Sequence, residues 1–547
     1  MRSAGKAAIW TSSGRKVVKL ALLLLLAPLP SWSASSAPAD QSYRQTVFAI
    51  QESIQSGDLE RAQALLSSAL RQFPEDGGLE NLLGIVEIQQ GHADKARRAF
   101  AAAVKHSPRL TGAYLNLGRL DMETAADHPA DRAEALHAYE SVLRMEPGNA
   151  EANYQAATLL MWSGQYERSR QHLARLGPQD RGQAGAVGVA CVDEAALGHR
   201  EEAAKIADRL IANPDLNEQL AMILLPGLKA ARRADLIERI FAAIDKNGGL
   251  SASGLRVLGL AQEANGELKQ ARATLERCYA KDPSSVVPLK DLARVAEESG
   301  DNQGALGYLA HGRVLAPKDP SLPFRFGMIC ARMNLLGEAR KALGEAVTME
   351  PGNARYNLAM GTVASFGHDP LASLPYLEKF HALKPKDPVG TLAIGSAYFR
   401  AKDYDHALPW LMKSAQNPRT AARSLYYLGR IARDKNQLDE ALNDLMRADK
   451  LEPRQPEVMA EIGQIYVEKK EYAAAQKELD AALALDKNNY AANFGLLQLY
   501  ARTHDARLAE QSKRFQAVKN EREEESREMM RVIEISPNGR TKPDAKP

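Results

Sequence analysis

Pro283, Pro317, Pro351 and Pro385 recur at intervals of 34 residues, and Pro453 stands two further intervals on. An interval of that length marks a chain assembled in tandem from one supersecondary unit, because a single compact core has no reason to space its prolines evenly. Between the marks one apolar register returns: Leu289, Leu292, Ala293 and Ala296, then Ala305 and Leu309, then Pro317. Spacings of three and four place these residues on one stripe of a helix. Short polar turns such as Asn265-Gly266-Glu267 and Ser299-Gly300-Asp301 separate the stripes, so each unit reads as two helices doubling back on each other. The 547 residues exceed what one core can hold, and the scarcity of aromatics, 6% of the chain, fits an elongated helical stack.

Two finer features keep the same phase. A pair ending in glycine recurs as Leu83-Gly84, Leu117-Gly118, Leu258-Gly259, Phe326-Gly327, Met360-Gly361, Ile394-Gly395, Leu428-Gly429 and Ile462-Gly463. Glycine there lets two helices approach closely. In the second half of each unit a small residue precedes a large one by four: Ala96 and Phe100, Ala135 and Tyr139, Ala271 and Leu275, Ala339 and Leu343, Ala441 and Leu445, Ala475 and Leu479. These face the first helix.

Period, glycine pair, small-to-large step and closing proline together resemble the tetratricopeptide-repeat family. The resemblance implies an all-α fold, a right-handed α-α superhelix of about thirteen helical hairpins, in which first helices line a concave groove. The sequence departs from the family in lacking the large aromatic near most unit starts. Between Gly177 and Gly249 the period is also kept only loosely, although Pro178 to Pro283 spans 105 residues, close to three periods. Degenerate repeats are therefore expected there, with Pro226-Gly227 and Asn247-Gly248-Gly249 interrupting them and marking a bend or weaker joint. The 39 residues between Pro108 and Pro147 imply a longer turn around Thr124 to Ala130. The organisation expected is residues 1–39 as a signal peptide, 40–178 as an N-terminal array and 179–250 as degenerate repeats. A C-terminal array (251–505), a charged capping helix (506–535) and a disordered tail (536–547) follow.

The leader expectation rests on Arg2, Lys6, Arg15, Lys16 and Lys19 preceding an apolar run from Leu20 to Ala27. Pro28 and Pro30 end the run, and Ala37-Pro38-Ala39 offers a small-residue cleavage site that leaves Asp40 first. The run is shorter than the ~20 residues a membrane span needs. Export to the periplasm or the extracellular space follows, with no membrane span in the mature chain. Cys191, Cys278 and Cys330 form no C-x-x-C pair and read as small buried hydrophobes.

No chemistry announces itself. The eleven histidines include no H-E-x-x-H, and there is no Walker-type loop and no G-x-S-x-G elbow, so catalytic, cofactor and metal residues are all expected to be none. Gly182, Gly185 and Gly188 do not form a dinucleotide fingerprint and read as close-packed positions. His311 and His406 read as surface residues on helices. A net charge of +3 over this length gives no reason to bind nucleic acid.

What remains is binding. Beside the packing stripe of the C-terminal first helices stand Phe324 and Arg332, then Arg355 and Phe366, then Phe399 and Arg400, then Arg423, Tyr426, Arg430 and Arg433. Through the resemblance these line the groove, and their basic and aromatic character fits a protein or peptide partner that is acidic. The functional expectation is an exported scaffold for protein–protein interaction in an envelope or secretion assembly. The alternative is a non-catalytic regulatory or substrate-presenting subunit of an envelope enzyme such as a glycosyltransferase or peptidase.

Overall fold

The structure, a computed structural model, describes residues 38–125, 129–367 and 369–532. The expected leader, apart from Pro38 and Ala39, lies outside the described residues, as do the tail and the centre of the turn between Pro108 and Pro147. Among the described residues there are 29 α-helices and no strand. The chain divides into two compact units, Met1–Pro283 and Ser284–Pro547. Each is a stack of antiparallel helical hairpins.

The first unit holds seven hairpins, from Pro38–Ser56 with Leu59–Gln72 to Ala252–Ala264 with Leu268–Lys281, plus the single turn Pro178–Arg181. The second also holds seven, from Val287–Glu298 with Asn302–Leu315 to Tyr490–Thr503 with Leu508–Val532. The last of these includes the helix expected to cap the stack. It pairs with Tyr490–Thr503, with Phe515 5.0 Å from Tyr490 and 5.5 Å from Phe494 between ring centroids, so it closes a further hairpin.

Each periodic mark has a mechanical role. The prolines follow directly on the cap of a second helix, as Pro317 follows Ala316 and Pro453 follows Glu452, where a residue without an amide proton stops further winding. The glycine pairs hold the two helices of a hairpin in contact: a Cβ added to Gly429 would stand 2.7 Å from Leu445 Cγ. Leu445, four residues after Ala441, is fully buried, and so is Tyr139 against Gly118.

A third periodicity appears in the backbone. At Gly164, Gly198, Arg232, Gly266, Gly300 and Asn334 the turn inside the hairpin has a positive φ, at intervals of 34 residues, and the series resumes at Lys402, Asn436, Lys470 and His504. The left-handed conformation costs a residue with a Cβ about 1–2 kcal/mol. Lys470→Gly is therefore expected to raise stability by up to about 1 kcal/mol, whereas Lys477→Gly, within the next helix, should lower it by about 1 kcal/mol. Urea midpoints of the two variants check this, and a loss at both positions would mean that the turn is not strained.

In the middle segment the interruption expected at Pro226-Gly227 is absent, whereas Asn247-Gly248-Gly249 does end the helix Ala234–Gly248, with Gly249 at a positive φ. The left-handed turns at Gly198 and Arg232 hold the period through it. Pro226 lies inside the continuous helix Glu218–Ala230 instead of interrupting it, and a side chain at Gly227 would collide with Val192. Gly185 and Gly188 are close-packed as expected, the first against Tyr154 and the second against Leu224. The segment lies within a continuous apolar core running from Ala157 to Cys278. The boundary between units falls after it, at Pro283.

Candidate binding surface

Side chains link successive first helices of the second unit in an unbroken series. Glu297, on Val287–Glu298, pairs with Arg325 at 3.3 Å on Ser321–Arg332, and Arg332 lies 3.7 Å from the same carboxylate. Phe324 of that helix stacks on Tyr356 with 4.7 Å between centroids and lies under the Arg355 guanidinium at 4.8 Å, both from Ala354–Ala364. Phe366, in the turn after that helix, carries Arg400 of Pro388–Arg400 at 3.6 Å. Phe399 then meets Tyr427 at 4.9 Å and Arg430 at 5.3 Å, both on Ala421–Asp434. Finally Arg433 bonds Glu461 and Glu468 of Pro456–Glu468, each at 2.6 Å, and Arg430 Nε lies 3.3 Å from Glu461. Five junctions between six first helices thus meet on one face.

All ten residues picked out in the sequence take part in this series, but in three distinct ways. Phe324 and Tyr426, expected on an open surface, are 4% and 8% exposed and form shelves under arginines. The ring face is electron-rich, and a guanidinium above it gains about 0.5–1 kcal/mol at an exposed site. Arg332, Arg430 and Arg433 are engaged by carboxylates. For Arg433, burial opposes the charge, but Glu468 and Glu461 more than offset it and keep the guanidinium's pKa above its ordinary value. Arg355, Arg400 and Arg423 lie on rings and have no carboxylate partner among the described residues. Phe366 is 49% exposed beside them, and Phe399 is half-buried between its neighbours.

Tyr427, Glu461 and Glu468 belong to the face and were not singled out from the sequence. Tyr427 carries Arg423 at 5.4 Å together with Tyr426 at 5.0 Å. The two glutamates lie one repeat beyond the arginines they hold, so aligning neighbouring units for opposite charge would have found them.

The three cysteines are buried, and burial pushes the Cys191 and Cys330 thiols up to about 12, far from reactive thiolates. His406 is exposed and bonded to Asp403 at 2.8 Å, and His311 is exposed on a second helix. Among the described residues no cluster of three or more metal-ligating side chains occurs.

Sequence profiles described as tetratricopeptide repeat match residues 53–117, 130–187, 257–285, 422–455 and 456–489. The chain is a tetratricopeptide-repeat protein. Among curated protein sequences none matches it. Solved structures similar to this tetratricopeptide-repeat chain include yeast Tom70, with 14% identity over 84% of this chain and 95% of that one and a TM-score of 0.39. The APC/C hetero-tetramer Cut9-Hcn1 gives 15% identity over 84% and 97%, with a TM-score of 0.36. PilF of Pseudomonas aeruginosa gives 22% identity over 40% and 97%, with a TM-score of 0.32. At such scores the likenesses bear on neither partner nor activity. The repeat architecture itself is that of a scaffold for protein–protein interaction, and among the described residues no helix is long and apolar enough to cross a membrane.

Proposed function

We propose that the protein is an exported interaction scaffold of an envelope or secretion assembly, and that the first-helix face of its second unit binds an extended acidic segment of a protein partner. The supporting observation is the continuity of that face combined with the uneven use of its arginines. Arg430 and Arg433 already have carboxylates, whereas Arg355, Arg400 and Arg423 are held in place by rings and, apart from the buried Nε of Arg400, keep their hydrogen-bond donors for a ligand. A guanidinium pre-positioned on a ring loses less side-chain entropy when it meets a carboxylate, which strengthens a charge-assisted bond. Export rests on the charged and apolar pattern before Ala39.

Replacing Arg355, Arg400 and Arg423 together with Ser is expected to weaken capture of the native partner at least tenfold, or ~1.4 kcal/mol, with unchanged helical circular dichroism. Unchanged capture would move the site off this face. Export is checked by sequencing the mature N-terminus, where a chain beginning at Met1 would contradict a cleaved leader.

A further inference from the structure

The charges on this face follow an order. At one end stand Glu297 and the exposed Glu298, and at the other the exposed Glu457 with Glu461 and Glu468. Between them the arginines without carboxylate partners occupy three consecutive first helices. The end carboxylates turn inward: Glu297 holds Arg325 and Arg332, and Glu461 holds Arg430 and Arg433. They thereby confine the available positive charge to the centre.

From this order we infer that the partner segment is itself built in blocks, with an acidic stretch bounded on both sides by lysine or arginine. The inference rests on the peptide-binding reading above and adds the arrangement of the ligand's charges. Its length follows from the spacing of packed helices. Neighbouring helix axes stand ~10 Å apart, so two steps from the helix of Arg355 to that of Arg423 cover roughly 20 Å. An extended chain advances ~3.3 Å per residue, which sets the acidic block at about six residues. One further step, about three residues, brings one basic flank to Glu457, and two steps in the other direction, about six residues, bring the second flank to Glu298. A longer acidic run would place carboxylates against Glu457 and Glu298, where like charges repel.

The test uses the full chain and three labelled peptides of about fifteen residues, followed by fluorescence anisotropy at physiological salt. One peptide is basic–acidic–basic, the second has the same composition as acidic–basic–acidic, and the third is acidic throughout. The first is expected to bind at least tenfold tighter than either other. Glu457→Lys, a change at an exposed position, should weaken the first peptide and strengthen the third, narrowing their gap at least threefold. If the first two peptides bind equally and both lose affinity in the triple Arg→Ser variant, the block order is wrong while the binding face stands. If no peptide binds the native chain, both readings fall.

Discussion

Asp193→Asn should remove a loss of stability of about 5 kcal/mol that the native first unit suffers between about pH 4 and pH 8. Asp193 lies on Ala184–Ala196, fully buried, and neither of its carboxylate oxygens closes a hydrogen bond. Burial pushes its pKa from 3.8 up to about 8. Approach of the Ser169 hydroxyl works against this, Glu194 and Glu167 add to it, and Arg170 subtracts. The folded state therefore holds this proton more tightly than the unfolded chain does. Its contribution is fully present below the unfolded pKa near 4 and drains away as pH rises through the folded value near 8. Asparagine keeps the shape and never ionises. Urea unfolding of both proteins at several pH values from 4 to 9 should give stability curves that diverge, with the variant the more stable at the alkaline end. Parallel curves would show that the carboxyl finds water or a partner on ionising.

Asp193 also illustrates what can be read from a repeat sequence. The period, the glycine pairs and the small-to-large steps all report contacts inside one hairpin, where both partners lie within one unit, as with Gly429 and Leu445. Contacts between units leave no such trace. The basic stripe Arg423, Arg430 and Arg433 was legible because helical spacing places it on one face. Its division into paired and available arginines was not, because Glu461 and Glu468 sit on the following first helix, 28 and 35 residues beyond Arg433. Phe324 and Tyr426 read as surface residues because their positions border the stripe, yet each belongs to an apolar core cluster of the second unit, with an arginine over its ring, and little of either side chain is exposed. The turns at Gly266 and Gly300 were legible as short polar breaks, whereas those at Arg232, Lys402, Lys470 and His504 were hidden, because there packing of the flanking helices imposes a conformation that the side chain disfavours.

The same distinction explains the middle of the first unit, where sequence signals are weak and packing is dense. Large residues replace the usual marks: Phe241 and Leu224 are fully buried, and Trp162 donates its indole N–H to the Ile223 carbonyl, 61 residues away, at 2.9 Å. Repeat motifs record only one way of joining hairpins, and this stretch uses another, with glycines at 185, 188 and 227 bringing first helices together. A joint of that kind should be strong. Phe241→Ala leaves a ring-sized cavity in the largest apolar cluster of the unit and is expected to cost about 3–5 kcal/mol. Because neighbouring hairpins share that cluster, the loss should spread through Ala150–Trp162 and Ala252–Ala264 as well. In the native chain, amide exchange across Leu236–Ile244 should be as slow as across Ala150–Trp162. Fast exchange confined to Leu236–Ile244, together with a cost below about 1 kcal/mol for Phe241→Ala, would restore the weak joint expected from the sequence.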